Sequence, residues 1–339
     1  IMHTHRSLLT SGLVMLHICD MKEEGVFLCS APTFWGQTLP FAAIPSFYLG
    51  CTFVIAGEIS PKPLLEIIEK ESITNTFASW HTIQQLADYP NRDRYNRASL
   101  QRVVASGMII SREVWQRMMD AFGNIFAQAY GLAEMSPLCA LFPENYALEG
   151  TAEKVKRLRS CGREVTNVEV RVVDEEGNDV QPGQLGEVIA RGPSMMKGYW
   201  NAPRATEEAI REGWLYTGDL ATVDENGYIY LAGRKKDAIT TQGKVLTPSE
   251  VEDVICGHPQ VLEVAVIGIP NKELGEEPKA VIVLKKGEET TEEEVIKLCQ
   301  QNLPDYAVPK SVDFVESLPK SVIGKVQKHE LQKKYLNPA

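Results

Sequence analysis

The chain has 339 residues, more than one compact hydrophobic core usually serves, so two domains are the better expectation. Apolar residues make up 44% of it and charged residues 24%, which is ordinary for a folded globular protein. A net charge of −10 and a pI near 5.3 argue against a broad nucleic-acid-binding surface, which would need a basic face. Nucleic acid is therefore not expected among its partners, and nothing in the sequence indicates an oligomeric state.

The cysteines and the apolar runs bear on where the protein works. The seven cysteines include no Cys-x-x-Cys pair and no metal-ligand cluster with the six histidines, which favours reduced, mostly buried thiols in a cytoplasmic protein. The most apolar run, 41–56, is broken by Pro45 and Gly50, so no transmembrane segment is expected. The N-terminus has no signal-peptide pattern, and because the chain begins with Ile1 we expect that an upstream part is missing.

Strands and helices alternate over the first part of the chain. Apolar residues recur with helical spacing over 7–19, and a proline leads a second helical pattern over 61–71. This alternation predicts a largely parallel sheet with helices packed on it. The predicted strands are 26–30, 52–56, 74–79, 103–106 and 125–130, and the further predicted helices are 82–87 and 111–121.

The pattern changes at Val168, where short β-rich segments alternate with Glu-Glu-Gly-Asn and Asp-Glu-Asn-Gly turns as far as Leu231. This rhythm predicts an antiparallel, barrel-like subdomain at about 155–232. A small α+β unit follows Lys236, and the predicted domains are therefore 1–235 and 236–339. The expected fold class is multi-domain α/β and α+β. The elements of the C-terminal unit are helices at 249–256 and 292–302, strands at 261–269 and 280–284, and a tail helix.

Two segments that follow predicted strands carry candidate binding groups. Ser106-Gly107-Met108 ends a strand, where ligands collect in parallel sheets, although an ordinary strand-to-helix turn is the plainer interpretation. The segment from Tyr130 to Glu134 offers a ring that could stack on a base, a glycine that permits close approach, and a carboxylate for a hard cation. A core tyrosine beside a solvated glutamate explains the second segment equally well.

Two further side chains have the chemistry to bind a nucleotide. Asp219, in the predicted turn Tyr216-Thr217-Gly218-Asp219, could accept hydrogen bonds from the two vicinal hydroxyls of a ribose, or simply form the turn. Lys325 follows Gly324 in a predicted loop before the tail helix, where it could supply a mobile positive charge to phosphate or carboxylate oxygens. A solvated lysine is the plainer alternative.

The order of these segments resembles that of the adenylate-forming superfamily, which contains acyl-CoA synthetases, adenylation domains of peptide synthetases and beetle luciferases. The resemblance spans nearly the whole chain and is strongest to the acid–CoA ligases. The matching segments are Ser106-Gly107, Tyr130-Gly131 with Glu134, Gly186-Glu187, Gly198 to Asn201, Tyr216 to Asp219, Gly233-Arg234, Leu303 to Pro309, and Gly324-Lys325.

The resemblance implies a role for individual residues. It implies that Glu134 and Lys325 are catalytic, that Glu134 is the ligand of Mg²⁺, that Lys236 is the hinge of a mobile C-terminal domain, and that Gly243 lines the tunnel for CoA. Residues 1–235 would be the C-terminal portion of a large AMP-binding domain. Tyr130 would stack on adenine, and Asp219 and Arg234 would reach the ribose. The implied nucleotide-binding residues are Ser106, Gly107, Met108, Tyr130, Gly131, Asp219 and Arg234.

The implied reaction joins a carboxylic acid to CoA at the expense of ATP. Attack of the carboxylate on the α-phosphate forms an acyl-AMP, and a thiol then displaces AMP. Negative charge gathers on phosphoryl oxygens in the first step, so Mg²⁺ and Lys325 would stabilise the transition state electrostatically.

Three features depart from the family pattern. The family has a Ser/Thr/Gly-rich phosphate loop, whereas residues 1–6 resemble the segment that directly follows it. We therefore expect the polypeptide as given to adenylate poorly, because backbone amides of that loop cradle the phosphates. Ala133 replaces the threonine that usually precedes the glutamate, and Phe34-Trp35 stands where the family often has Phe-His.

The substrate is the least defined part of the prediction. No acidic residue lies near Phe34, where peptide-synthetase domains usually carry an aspartate, so an apolar fatty or aryl acid is favoured over an amino acid. Loading of a carrier protein, luciferase-like oxidation, and a non-catalytic nucleotide- or acyl-binding module remain as alternatives. For the tryptophans and methionines among the candidate acyl-pocket residues, packing in the hydrophobic core is an equally good interpretation. The candidate acyl-pocket residues are Trp35, Trp80, His81, Met108, Gly131 and Met135.

Overall fold

The computed structural model describes residues 1–30, 38–57, 59–106, 110, 112–320 and 326–336. The chain forms two compact units, of which the first comprises Ile1–Thr217 and Ala221–Leu231 and the second Gly218–Leu220 and Ala232–Ala339. The assignment of 1–235 and 236–339 to an AMP-binding domain and a mobile C-terminal domain stays a prediction. Within the described residues, no helix is long and apolar enough to span a membrane.

The first unit is built around a sheet. Within the described residues this sheet has seven strands, in the order β2-β1-β3-β4-β5-β6-β7. The pairs from β2 to β5 are parallel, as the alternation of strands and helices predicts, and β6 and β7 add antiparallel pairs at one edge. The strands are β1 (Val26–Cys29), β2 (Thr52–Ile55), β3 (Asn75–Ser79), β4 (Arg102–Ser106), β5 (Phe126–Leu132), β6 (Met135–Leu141) and β7 (Arg163–Glu164).

Alternate residues of these strands face the two sides of the sheet, and helices cover both sides. Phe77 and Val104 pack with helix α1, whereas Ala78 and Ala105 pack with helices α4 and α5. Burial of apolar side chains on both sides explains the nearly continuous apolar strand sequences. The helices of this unit are α1 (His5–Ile18), α2 (Ile44–Leu49), α3 (Pro61–Lys70), α4 (Trp80–Ala87), α5 (Arg112–Phe122), α6 (Ala152–Lys156) and α7 (Pro203–Ala209), with a π-helical turn at Leu39–Ala43 before α2.

The predicted β-rich region forms a second sheet in the order β10-β11-β9-β8, with β12 paired to β11. The structure corrects one expectation here, because Asp219 lies inside the ten-residue strand β11 and not in a turn. The turn signal came from Gly218, whose φ of +71° is accommodated within the strand. The strands are β8 (Glu169–Val173), β9 (Gly186–Arg191), β10 (Ile210–Arg211), β11 (Trp214–Val223) and β12 (Ile229–Arg234).

The second unit contains a third sheet in the order β14-β13-β16-β15, with β17 added parallel to β16. Its long hairpin β15–β16 divides two apolar clusters, one around helices α8 and α9 and one beneath the tail helix α10. The predicted mixed α/β and α+β class is confirmed. The elements are β13 (Ile239–Thr241), β14 (Lys244–Leu246), α8 (Pro248–Cys256), β15 (Val261–Asn271), β16 (Gly275–Leu284), α9 (Glu292–Asn302), β17 (Ser311–Phe314) and α10 (Lys328–Leu336).

Candidate active site

Ser106 is the last residue of β4. It therefore lies at the carboxyl end of the parallel strands, where a ligand is expected to bind. It lies opposite Ser79, the last residue of the parallel strand β3. The hydroxyl of Ser79 accepts a hydrogen bond of 3.1 Å from the backbone N–H of Thr82 and so caps helix α4. The neighbouring strands β3 and β4 therefore both end in a serine. Gly107 and Met108 lie outside the described residues.

Tyr130 lies in β5, in agreement with the predicted strand 125–130, and β5 continues through Gly131 to Leu132. Tyr130 pairs with Cys139 of β6 and Leu132 pairs with Met135, so Gly131 lies opposite an irregular stretch of β6 that contains extra residues. A Cβ on Gly131 would come within 2.3 Å of Ser136 Oγ and 3.1 Å of Ser136 Cα. The close approach of β6 explains why glycine stands at this position.

Glu134 occupies the tight turn between β5 and β6 and is held from two directions. Its backbone carbonyl accepts a hydrogen bond of 2.7 Å from the N–H of Met196, and Oε1 accepts one of 2.7 Å from the hydroxyl of Tyr199. The neighbouring carbonyl of Ala133 is 2.7 Å from Nε2 of His3. These contacts fix the direction of the carboxylate, as contacts behind a ligand residue commonly do.

Tyr199 contacts the candidate metal ligand Glu134, although the sequence assigns Tyr199 no role of its own. It lies in the Gly198–Asn201 segment that matches a family signature, so the segment was identified but the contact with Glu134 was not. Tyr199 and Glu134 are 65 positions apart in the chain, so no local sequence pattern indicates that they are in contact.

The described residues contain no group of three or more His, Cys, Asp or Glu side chains that could hold a metal ion. Mg²⁺ commonly takes only one or two protein carboxylates and completes its shell with water and substrate phosphate oxygens. The half-buried, oriented carboxylate of Glu134 fits that kind of binding.

Asp219 and Arg234 form an ion pair within the second unit, with 2.8 Å between Asp219 Oδ1 and Arg234 Nε. The aspartate side chain is 12% exposed, whereas that of the arginine is 47% exposed. The pair thus presents a carboxylate whose orientation is fixed by a neighbouring cation.

The predicted hinge and tunnel residues lie at the start of the second unit. Lys236 is exposed and lies in the short 3₁₀ turn Lys235–Asp237, which follows β12. Gly243 and Gln242 form the two-residue turn between β13 and β14, with φ of +71° and +52°. A turn with two left-handed residues matches the twist of a hairpin and favours glycine. Lys325 lies outside the described residues.

The candidate acyl-pocket residues have different surroundings. Trp80 is fully buried, with its ring 4.9 Å from that of Trp115, and Met135 is fully buried in the core on the other side of the sheet. These positions support the packing interpretation for both side chains. His81 is exposed and contacts Gln85 at 3.0 Å, whereas Trp35 and Met108 lie outside the described residues.

Family models match most of the chain. Residues 1–200 match the model described as AMP-binding enzyme, and residues 250–325 match that of the AMP-binding enzyme C-terminal domain. The fold and the ordered signatures agree with this match. The chain therefore belongs to the AMP-binding enzyme family, within the adenylate-forming superfamily.

Several relatives are named as CoA synthases or CoA ligases of carboxylic acids. The chain is 32% identical over 334 residues to a feruloyl-CoA synthase from Amycolatopsis sp, covering 98% of this chain and 66% of that protein. It is 37% identical over 278 residues to a long-chain-fatty-acid–CoA ligase from Escherichia coli O157:H7, covering 82% of this chain and 46% of the ligase. The chain thus spans two thirds or less of the length of these relatives.

Solved structures of the superfamily superpose on almost the whole chain. The amide bond synthetase McbA from Marinactinospora thermotolerans matches with a TM-score of 0.87 and 30% identity, covering 98% of this chain and 67% of that one. The O-succinylbenzoate coenzyme A synthetase MenE from Bacillus subtilis, in complex with AMP, matches with a TM-score of 0.86 and 26% identity, covering 97% and 65%. The predicted superfamily is confirmed by these matches.

Proposed function

We propose that the protein is an ATP-dependent acid–CoA ligase that activates a carboxylic acid as an acyl-AMP and passes the acyl group to the thiol of CoA. The observation that carries the proposal is the Asp219–Arg234 pair, a buried carboxylate held at 2.8 Å by a guanidinium. This pair stands at the two sequence positions that the resemblance assigns to ribose. The names of the relatives support CoA as the acceptor.

The order of the two steps follows from the leaving groups. A free carboxylate is a poor acyl donor because oxide would have to leave. Attack of a carboxylate oxygen on the α-phosphorus of ATP forms the acyl–phosphate bond and releases pyrophosphate. Attack of the CoA thiolate on the acyl carbon then releases AMP, a stabilised phosphate leaving group.

The side chains divide the work of the first step. The carboxylate of Asp219 would accept hydrogen bonds from the ribose hydroxyls, with Arg234 fixing its orientation. Glu134, held by the hydroxyl of Tyr199, would contribute a carboxylate oxygen to Mg²⁺, which neutralises phosphoryl charge when it is bound. Lys325 would place its ammonium near the carboxylate and the α-phosphate.

The second step would require a different set of residues. Lys236 is proposed as the hinge, because its 3₁₀ turn is short and exposed, and Gly243 is proposed to leave room for the thiol arm of CoA. A Cβ added at Gly243 would meet no atom within 4 Å in this structure, so packing does not require a glycine at this position. The left-handed conformation of the turn is what favours glycine here.

The substrate proposed is an apolar carboxylic acid, either an aryl acid or a fatty acid. The support for this class comes from relatives named for ferulic acid and for long-chain fatty acids. The two classes differ in shape, so a substrate panel separates them directly.

The test uses the natural full-length protein with ATP, Mg²⁺ and CoA. Ferulate, a long-chain fatty acid and a short polar acid are compared by acid-dependent exchange of pyrophosphate into ATP and by mass spectrometry of acyl-CoA. Exchange and acyl-CoA formation with one apolar acid are expected. Exchange without acyl-CoA would redirect the proposal to another acceptor, a carrier-protein thiol or an amine, and AMP binding without exchange would indicate a binding module.

A further inference from the structure

The first residues of the chain lie beside the turn that carries Glu134. Nε2 of His3 is 2.7 Å from the backbone carbonyl oxygen of Ala133, the residue that precedes Glu134. A carbonyl oxygen only accepts, so Nε2 is the donor of this hydrogen bond. His3 and Ala133 are 130 positions apart, and their contact joins the start of the chain to the turn between β5 and β6.

The imidazole of His3 is itself held by the first turn of helix α1. Its Nδ1 lies 3.1 Å from Oγ of Ser7, which is buried. Ser7 and Thr4 form a capping box, in which the backbone N–H of each donates a hydrogen bond of 3.0 Å to the side-chain oxygen of the other. Helix α1 packs in the hydrophobic core through Met15 and Ile18, both fully buried. The imidazole is therefore anchored through α1 to the core of the first unit.

Met2, the neighbour of this histidine, pairs in antiparallel fashion with the segment 196–199. Its N–H donates a hydrogen bond of 2.8 Å to the carbonyl of Gly198, and its carbonyl accepts one of 2.8 Å from the N–H of Lys197. The same segment supplies two hydrogen bonds to Glu134, one to its backbone carbonyl and one to its carboxylate. The segment 196–199 is therefore fixed to the start of the chain as well as to the turn.

Three short segments, 2–3, 133–134 and 196–199, are thus each hydrogen-bonded to the other two. The turn has two attachments, one to the segment 196–199 and one to His3. Because the carboxylate of Glu134 extends from this turn, a tilt of the turn changes the direction of the carboxylate. A metal ligand that is held by a second set of contacts is pre-organised, which strengthens binding of the metal.

We propose that His3 is a positioning residue for Glu134, which orients the β5–β6 turn so that the carboxylate meets Mg²⁺ bound to the phosphates of ATP. The inference rests on the proposed function through the metal-binding role given to Glu134. His3 would act through the backbone of Ala133 and not by contact with the metal. Loss of a contact behind a metal ligand costs about 10- to 100-fold in metal affinity. The loss expected for His3 is at the lower end, because Tyr199 still holds the carboxylate.

Three substitutions at His3 separate the hydrogen bond to Ala133 from the contact with Ser7. His3→Leu removes both. His3→Gln keeps a donor at the position of Nε2 and so retains the bond to Ala133, whereas His3→Asn places its polar group at the position of Nδ1, within reach of Ser7 only. His17→Leu is the matched control, because His17 is an exposed histidine in the last turn of the same helix, with its ring 5.4 Å from that of Phe142.

The main measurement is the binding of Mn²⁺, a paramagnetic substitute for Mg²⁺ with the same preference for oxygen ligands. It is made by electron paramagnetic resonance on the natural full-length protein with α,β-methylene-ATP, whose phosphate oxygens supply further ligands to the metal. His3→Leu and His3→Asn are expected to raise the Kd for Mn²⁺ by about 10-fold, and His3→Gln and His17→Leu by less than about threefold. The Mg²⁺ concentration for half-maximal pyrophosphate exchange should rise in parallel, and excess Mg²⁺ should restore kcat.

A double-mutant cycle shows whether His3 acts through Glu134. Glu134→Gln removes the charge that would face the metal, so the addition of His3→Leu to it should raise the Kd for Mn²⁺ by no more than about a further twofold. The amide of Met196 donates to the backbone carbonyl of Glu134. Hydrogen exchange of this amide should be faster in His3→Leu than in the control His17→Leu, because the turn is less firmly held.

The outcomes distinguish this inference from the function on which it rests. Equal Kd values for Mn²⁺ in the wild-type protein and His3→Leu overturn the inference alone. A loss in His3→Gln as large as that in His3→Leu also overturns it, because the donor to Ala133 is then not the cause. An equal effect of His3→Leu with and without Glu134→Gln overturns it too, since it indicates a merely structural role. Absence of both Mn²⁺ binding and pyrophosphate exchange in the wild-type protein overturns the proposed function and this inference with it.

Discussion

Asp219 combines burial with charge at the position where ribose recognition is proposed. Its carboxylate is 12% exposed and is oriented by Arg234, whose own side chain is half exposed. Hydrogen bonds to a charged, partly desolvated acceptor are worth about 1.5–3 kcal/mol each. The residue is therefore expected to contribute to affinity for the nucleotide more than to stability.

Asp219→Asn is predicted to lower the affinity for AMP by about 10- to 100-fold, since the ribose hydroxyls lose a charged acceptor. Isothermal titration calorimetry measures the change directly. Asp179→Asn is the matched control, because Asp179 also pairs with an arginine, at 2.6 Å from Arg171, but at an exposed position. Equal affinities for AMP in the wild-type protein and Asp219→Asn would contradict the ribose assignment.

Gly131 is constrained by packing. Gly131→Ala is predicted to reduce the free energy of unfolding by about 1–3 kcal/mol, because the new Cβ would meet buried Ser136 at 2.3 Å from its Oγ. Urea denaturation measures the loss. The double variant Gly131→Ala with Ser136→Ala should recover only part of it, since the contact with Ser136 Cα at 3.1 Å remains. A neutral Gly131→Ala variant would contradict the close approach of β6.

At the scale of secondary-structure elements, polar contacts attach the tail helix to the sheet of the second unit. Asp313 of β17 is 2.8 Å from Nζ of Lys279 on β16, and it also accepts a hydrogen bond from Tyr335 of α10. Burial by itself would raise the pKa of Asp313, but the hydrogen bonds from Lys279 and Tyr335 outweigh it and hold that pKa below its usual range. Folding therefore favours the ionised carboxylate.

This pKa shift predicts a specific dependence of stability on pH. A carboxylate with a lowered pKa stabilises the folded state above its ordinary pKa near 3.8, and this contribution is lost as the pH falls through the lowered value. The difference in free energy of unfolding between the wild-type protein and Asp313→Asn should be largest near neutral pH and should shrink below about pH 4. Urea titrations at several pH values measure it, and a difference independent of pH would contradict the role of Asp313.

At the scale of the whole molecule, the cysteines are distributed so that little thiolate is available. Six of the seven are buried, as the sequence predicts, and Cys256 is the exposed one. Partial desolvation of its thiol and the charges of Glu252 and Asp253 raise the pKa of Cys256 to about 11. Burial also raises the pKa of the Cys19 and Cys299 thiols, the latter to about 11.

Alkylation of the native protein by iodoacetamide at pH 7.5 is therefore predicted to be slow and confined to Cys256. A pKa two units above the ordinary value of 9.0 lowers the thiolate fraction by about 100-fold. Mass spectrometry should find all seven cysteines labelled after denaturation. Rapid labelling of Cys139 or Cys161 in the native protein would mean that the core of the first unit opens readily.

The sequence by itself determined the element types, the fold class and the superfamily, because these depend on local periodicity and on the order of short signatures. The strands predicted at 26–30 and 103–106 are β1 and β4 within one residue at each end, and the helix predicted at 292–302 is α9. Polar residues at strand ends, such as Ser106, could be identified because a parallel sheet places its ligands there.

Only the tertiary structure decided which residues touch. It placed Asp219 within a strand, buried Trp80 in an aromatic core, and brought Tyr199 to Glu134 and Lys328 to Glu252. Each of these outcomes depends on the packing of elements that are far apart in the chain, and no local pattern encodes it. The residues proposed to bind the nucleotide were therefore selected from the sequence, whereas the side chains that contact and orient them were found only from the fold.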